Sequence, residues 1–109
     1  MKIIVQHREF DEITGNPLGF TDVAEVAAEG FTDVDEALEY AYRWTNNVMG
    51  SWSRDDIEDN SDYNPNVTRL APLVERNGRI FGLRSSMMGD QMIVDGTTYK
   101  VAAFGFQAV

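Results

Sequence analysis

Three groups of side chains have types and spacings that could do chemistry, and each has a plainer structural reading beside it. The first is the turn Arg84-Ser85-Ser86 followed by Gly89-Asp90. A guanidinium, two hydroxyls and exposed backbone amides in one turn could form a small anion or nucleotide site. No Gly-rich phosphate loop accompanies them, and short polar side chains at a tight strand entry commonly cap backbone groups instead. The second is His7, the only histidine. As a general base it needs a nucleophile and an orienting acid, and Ser85 or Ser86 with Asp90 are the local candidates. Nothing in their spacing brings them together, so a structural or surface strand histidine is the simpler reading. With no cysteine, thiolate chemistry and the usual Cys/His zinc sites are excluded.

The third group is acidic. Asp55, Asp56, Glu58, Asp59 and Asp62 crowd one stretch, with Trp52, Ile57 and Tyr63 interleaved. A calcium loop of the EF-hand type needs glycine at its sixth position and a bidentate acid at its twelfth. Counting from Asp56, those positions hold Ser61 and Val67, so the template fails. Carboxylate pairing for glycoside hydrolysis needs a cleft that the sequence does not show. Two readings stay open: a solvated loop, or a charged docking surface aimed at a basic partner. Aromatic residues beside charge are typical interface anchors, and they are equally the feet by which a loop is pinned to a core. No metal or cofactor is expected.

The elements that must position these groups are legible in part. Lys2–Phe10 reads as a strand, opened by the β-branched Ile3, Ile4 and Val5. Thr14-Gly15-Asn16-Pro17 ends it, and Phe20–Ala28 completes an antiparallel hairpin or forms a short helix. Phe31–Val48 is the clear helix. Thr32 or Asp33 can cap it, Glu36 stands three residues after Asp33 as a capping box requires, and Asp33, Asp35 and Glu36 suit the positive end of its dipole. Val34, Leu38, Ala41, Thr45 and Val48 form its apolar stripe, opposite Glu39, Tyr40, Arg43 and Asn47. Ser51–Asn66 is irregular, and loops this long in small domains are usually functional or mobile. Val67–Leu83 reads as a hairpin around Asn77-Gly78, with Arg76 facing Arg79. Asp95-Gly96 between two β-prone runs predicts a type I′ hairpin, with Val94 facing Thr97 and Met92 facing Tyr99. Those four share one face with Val101. Gln91, Ile93, Thr98, Lys100 and Phe104 share the other.

The expected fold is therefore α+β: a mostly antiparallel sheet of about five or six strands packed against one amphipathic helix. At 109 residues the chain is one domain, long enough to bury roughly two-thirds of its unfolded surface. The net charge of −9 is unevenly placed. Residues 9–62 hold fifteen of the eighteen acids and only Arg43 and Arg54 as bases, a balance of −13. Such polarity disfavours direct nucleic-acid binding and favours basic surfaces. No apolar run approaches a membrane span, and the start lacks a signal-peptide core. A soluble, cytoplasmic protein is expected.

Tyr42-Arg43-Trp44-Thr45-Asn46-Asn47, Trp52, Asn64-Pro65 and the ending RSSMMGDQMIVDGTTYKVAAFGF carry a likeness. The chain resembles a group of small uncharacterised phage proteins with a leucine-threonine-asparagine helix end and a C-terminal RSxSxGDxxxxxGxxYxVxxxGF pattern. It is also similar to the YodL-like domains of mobile-element polyvalent proteins. Arg84, Ser85, Gly89, Asp90, Gly96, Tyr99, Val101, Gly105 and Phe106 match, whereas Met87 replaces the second serine and Trp44 the leucine. The resemblance covers about two-thirds of the chain, implies a phage or mobile-element origin, and assigns no catalytic residue. With the charge polarity it gives the expected function: a non-enzymatic phage protein that binds and inhibits a host factor through acidic residues, such as a nucleic-acid-binding defence complex. That surface would comprise Asp33, Asp35, Glu36, Trp52, Asp55, Asp56, Glu58, Asp59, Asp62 and Tyr63. The alternative is a small-ligand or signalling-nucleotide binder using Arg84, Ser85, Ser86 and Asp90.

Overall fold

The structure is a computed structural model describing residues 1–109. Two long strands, β1 (Lys2–Phe10) and β2 (Pro17–Ala27), lead into one helix, α1 (Val34–Trp44). Six shorter strands follow: β3 (Val67–Arg69), β4 (Val74–Arg76), β5 (Arg79–Phe81), β6 (Gln91–Val94), β7 (Thr97–Val101) and β8 (Phe106–Ala108). The main sheet is six-stranded and antiparallel in the order β3-β2-β1-β6-β7-β8, while β4 and β5 form a separate hairpin. This is the α+β architecture that the sequence predicts. No helix is long and apolar enough to cross a membrane.

Strand alternation places the core. Ile3 and Val5 point to the helix side, where they meet Val26, Met92 and Val94 of the neighbouring strands and Ala37, Leu38 and Ala41 of α1. The same alternation carries His7, the next inward position, to the end of that core. The β1–β2 register shifts between Val5 and Gln6, so β2 has one extra residue there and both Val23 and Ala24 are buried.

The last hairpin forms as its turn chemistry dictates. Val94 pairs with Thr97 and Met92 with Tyr99, and both Asp95 (φ 50°) and Gly96 (φ 78°) are left-handed. Phe104 is a correction: it lies in the β7–β8 turn, 96% exposed, and shares no strand face. Arg76 does face Arg79 across the Asn77-Gly78 turn, but the hairpin is shorter than Val67–Leu83. Val67–Arg69 leaves it and pairs with β2 at the sheet edge. The second strand also starts earlier than Phe20, at Pro17.

The helix is shorter than Phe31–Val48. Asp33 caps it by accepting from the Asp35 amide at 3.2 Å, while Glu36 makes no return bond. At its other end the Thr45 hydroxyl donates back to the Ala41 carbonyl at 2.8 Å, and the Asn46 side-chain amide donates to Tyr42 O. These local bonds satisfy the last carbonyls and release the chain. Val48 consequently leaves the stripe and is exposed. Tyr40 does not face solvent: it packs on Phe31 (centroids 5.1 Å apart), and its hydroxyl accepts from Asn64 and Asn66.

Candidate functional site

Asn47 and Trp52 meet Arg84, Ser85 and Asp90 of the C-terminal pattern in one place. Asp90, fully buried, accepts from Arg84 Nη1 and Nη2 at 2.8 Å each, from the Met87 amide at 2.8 Å and from the Arg8 amide at 2.8 Å. Arg84 Nη2 also donates to the Arg8 carbonyl at 3.1 Å. This bidentate pair ties the turn before β6 to β1, and charge-assisted forks of this kind are among the strongest hydrogen bonds in proteins. Trp52 Nε1 donates to the Arg84 carbonyl at 2.8 Å, and the Asn47 amide donates to Ser85 Oγ at 2.8 Å. Asn47 also joins the Leu83 carbonyl to the Trp52 amide.

His7, Ser86 and Asp90 do meet, against the expectation from spacing. His7 Nε2 lies 3.1 Å from Ser86 Oγ and 4.0 Å from Asp90 Oδ2, and Ser86 Oγ lies 2.7 Å from Thr45 Oγ1. Because the Thr45 hydroxyl is spent on the Ala41 carbonyl, Ser86 is the donor to Thr45. That leaves His7 Nε2–H donating to Ser86. Protons thus run one way, from imidazole to serine to threonine to carbonyl, which is the reverse of what an activated serine needs. Burial, then the charge of Arg84, lowers the His7 pKa to about 4 despite Asp90. The imidazole is neutral at pH 7, and Ser86 is only 3% exposed. The grouping is a closed clamp, built as the capping reading of Ser85 and Asp90 expects.

The same arrangement fills the turn weighed as a ligand site. Both terminal nitrogens of Arg84, both serine hydroxyls and both Asp90 oxygens already have partners within the chain. Burial works against ionisation of Asp90, but the Arg84 guanidinium and the Arg8 and Met87 amides outweigh it and hold its carboxyl below the ordinary value.

The acidic loop divides into two kinds of residue. Asp62 is fully buried and accepts from the amides of Val48, Met49 and Gly50 at 2.8, 2.8 and 2.6 Å, and from Arg43 Nη2 at 3.1 Å. Burial pushes its carboxyl up, but these three amides and the guanidinium together hold it low. Trp52 is buried as well. Asp62 and Trp52 are therefore corrections to the expected docking surface: both face inward and pin the loop. Asp56 is paired with Arg54 at 2.8 Å and Asp55 with Arg69 at 3.7 Å. Glu58, Asp59 and Tyr63 are exposed, and neither acid makes an ion pair within 4.0 Å. The cap Asp33 and the α1 acids Asp35, Glu36 and Glu39 are likewise exposed and make no ion pair.

Sequence reasoning missed Thr45, Asn47 and Arg8 as partners in the clamp. Thr45 and Asn47 stand in the string Tyr42-Arg43-Trp44-Thr45-Asn46-Asn47 at the helix end, so that string held the signal. Comparison of the chain with protein-family models, curated proteins and solved structures returns no match in any of the three.

Proposed function

We propose that the protein is a non-enzymatic binding protein that presses exposed carboxylates onto a partner with a basic surface. In our reading it blocks a host factor, with a nucleic-acid-binding defence complex as the preferred candidate. The observation that carries this proposal is the segregation of paired from unpaired charge. Arg43, Arg54, Arg69 and Arg84 are paired with Asp62, Asp56, Asp55 and Asp90, whereas the helix cap Asp33, the helix acids Asp35, Glu36 and Glu39, and Glu58 and Asp59 at the loop tip meet no cation. Unpaired exposed carboxylates steer a basic partner and compete with nucleic acid for it. Binding is favoured over catalysis because the one His-Ser-Asp grouping is closed from solvent and its protons run the wrong way. The likeness to phage and mobile-element proteins supplies the setting for an inhibitor.

Capture from nuclease-treated bacterial lysate tests this. The immobilised protein should retain a basic, nucleic-acid-binding partner that elutes with salt, and the free protein should abolish that partner's nucleic-acid binding. A variant carrying Asp35→Asn, Glu36→Gln, Glu58→Gln and Asp59→Asn should retain far less. Equal retention by the variant contradicts the proposal.

A further inference from the structure

We infer that the cleft between α1 and the β7–β8 turn is an anchor site for one apolar side chain, aromatic or aliphatic, carried between Lys and Arg residues in a segment of a protein partner. The inference rests on the acidic-docking reading and specifies what the partner must present.

The cleft is open to solvent and has a volume of about 510 Å³, within the range of sites that hold small ligands. Tyr42 and Val48 line it from the helix side, and Val101 and Phe106 from the sheet. The Tyr42 and Phe106 rings meet edge to face, with centroids 6.2 Å apart and planes at 71°. Each ring fixes the other, so the wall is formed before anything binds. The cleft is open because the helix stops at Trp44: Asp62 draws the amides of residues 48–50 toward itself, and Val48 is left 60% exposed at the mouth.

Charge selects the occupant. Glu39 lines the cleft and makes no ion pair, and Asp35, one helical turn earlier, shares its face. Arg43 is the only cation lining the cleft; its Nη2 is paired with Asp62 at 3.1 Å and its guanidinium lies over the Trp44 ring at 4.1 Å, while its Nη1 is buried without a partner. An arriving group therefore meets apolar walls with the unpaired Glu39 at one side and Asp35 one helical turn beyond it. An uncharged apolar ligand would use the walls and leave the carboxylates idle. A side chain flanked by basic residues uses both, which is the anatomy of an interface hot spot: a buried anchor ringed by charge.

The test uses a fluorescein-labelled nonapeptide with phenylalanine at its centre and Lys-Arg pairs as flanks, read by anisotropy and by amide NMR shifts. Wild type should bind it, with shifts at Ala102, Ala103 and Phe106. Replacing the peptide's phenylalanine by alanine should weaken binding at least tenfold. Ala103→Trp and Val48→Trp, which fill the cleft from opposite sides, should weaken the phenylalanine peptide at least tenfold and the alanine peptide less than twofold. Unfolding midpoints identify a filling variant that has lost its fold, and the other then decides. If both peptides bind wild type equally, the anchor site is overturned while acidic docking survives. If a phenylalanine peptide with neutral flanks binds as tightly as the basic one, the cleft is a site for an uncharged ligand and the basic-partner claim is overturned. If no peptide binds, the anchor inference is overturned, and the lysate capture judges acidic docking separately.

Discussion

Asp62 and Glu58 lie in the same loop and carry the same charge, yet they do opposite things. Asp62 is buried beneath the chain that leaves the helix, where three amides and a guanidinium point at it. Glu58 meets no cation and faces solvent. Asp90 and Asp95 repeat the contrast around β6: one closes a network, the other only shapes a turn. What separates the members of each pair is the supply of unpaired donors around them. A run of acids in a sequence therefore does not mark a surface until backbone donors have been assigned.

The sharpest way to break this comparison is to remove the inward carboxylates. Asp90→Ala strands Arg84 and the Arg8 and Met87 amides, so it should destabilise by about 3–5 kcal/mol in denaturant unfolding. Asp62→Asn removes the charge from three amide bonds and should cost about 2–3 kcal/mol. If either variant unfolds at the wild-type midpoint, that carboxylate is not part of the clamp.

His7 gives the comparison a pH axis. Its pKa falls from 6.5 to about 4 on folding, so between those values the unfolded chain binds the extra proton. Stability should be flat above pH 6.5 and fall by up to about 3 kcal/mol as pH drops toward 4. His7→Gln should remove most of that slope. Asp62 and Asp90, whose carboxyls are held below 3.8, act in the same direction at lower pH: their contribution is present above 3.8 and is lost as pH falls through their folded values. A wild-type profile flat from pH 6.5 to 4 means that the imidazole is not held neutral by the fold.

The strand hairpins were legible because their turns are local. Asp95-Gly96 and Asn77-Gly78 demand left-handed backbone, and the cross-strand pairs follow from counting outward. Gly96→Val should cost about 1–2 kcal/mol for that reason, and an unchanged midpoint would remove the turn from the account. The clamp was only half legible. Its residues stand out as a pattern, but His7 and Ser86 are joined through β1–β6 pairing and a helix end, contacts that no spacing encodes. The helix is shorter than its periodicity for a related reason: Thr45, Asn46 and Asp62 end it through side chains, while the apolar stripe runs on to Val48. Trp52 and Asp62 turn inward against expectation because composition alone cannot tell a loop's anchors from its tip.

The smallest expected effect on stability belongs to the outward set. Asp35→Asn, Glu36→Gln, Glu58→Gln and Asp59→Asn together should shift unfolding by no more than about 0.5 kcal/mol per site, since these side chains touch no cation. A large loss would mean that they, too, hold the fold.

Function separates the two sets most directly through association kinetics. The partner captured from lysate is purified, and its association rate is measured with wild type and with the fourfold variant at low and high salt. The variant should associate markedly more slowly at low salt, and the gap should narrow as salt screens the outward carboxylates. Equal rates at low salt would contradict the claim that these carboxylates are a docking surface.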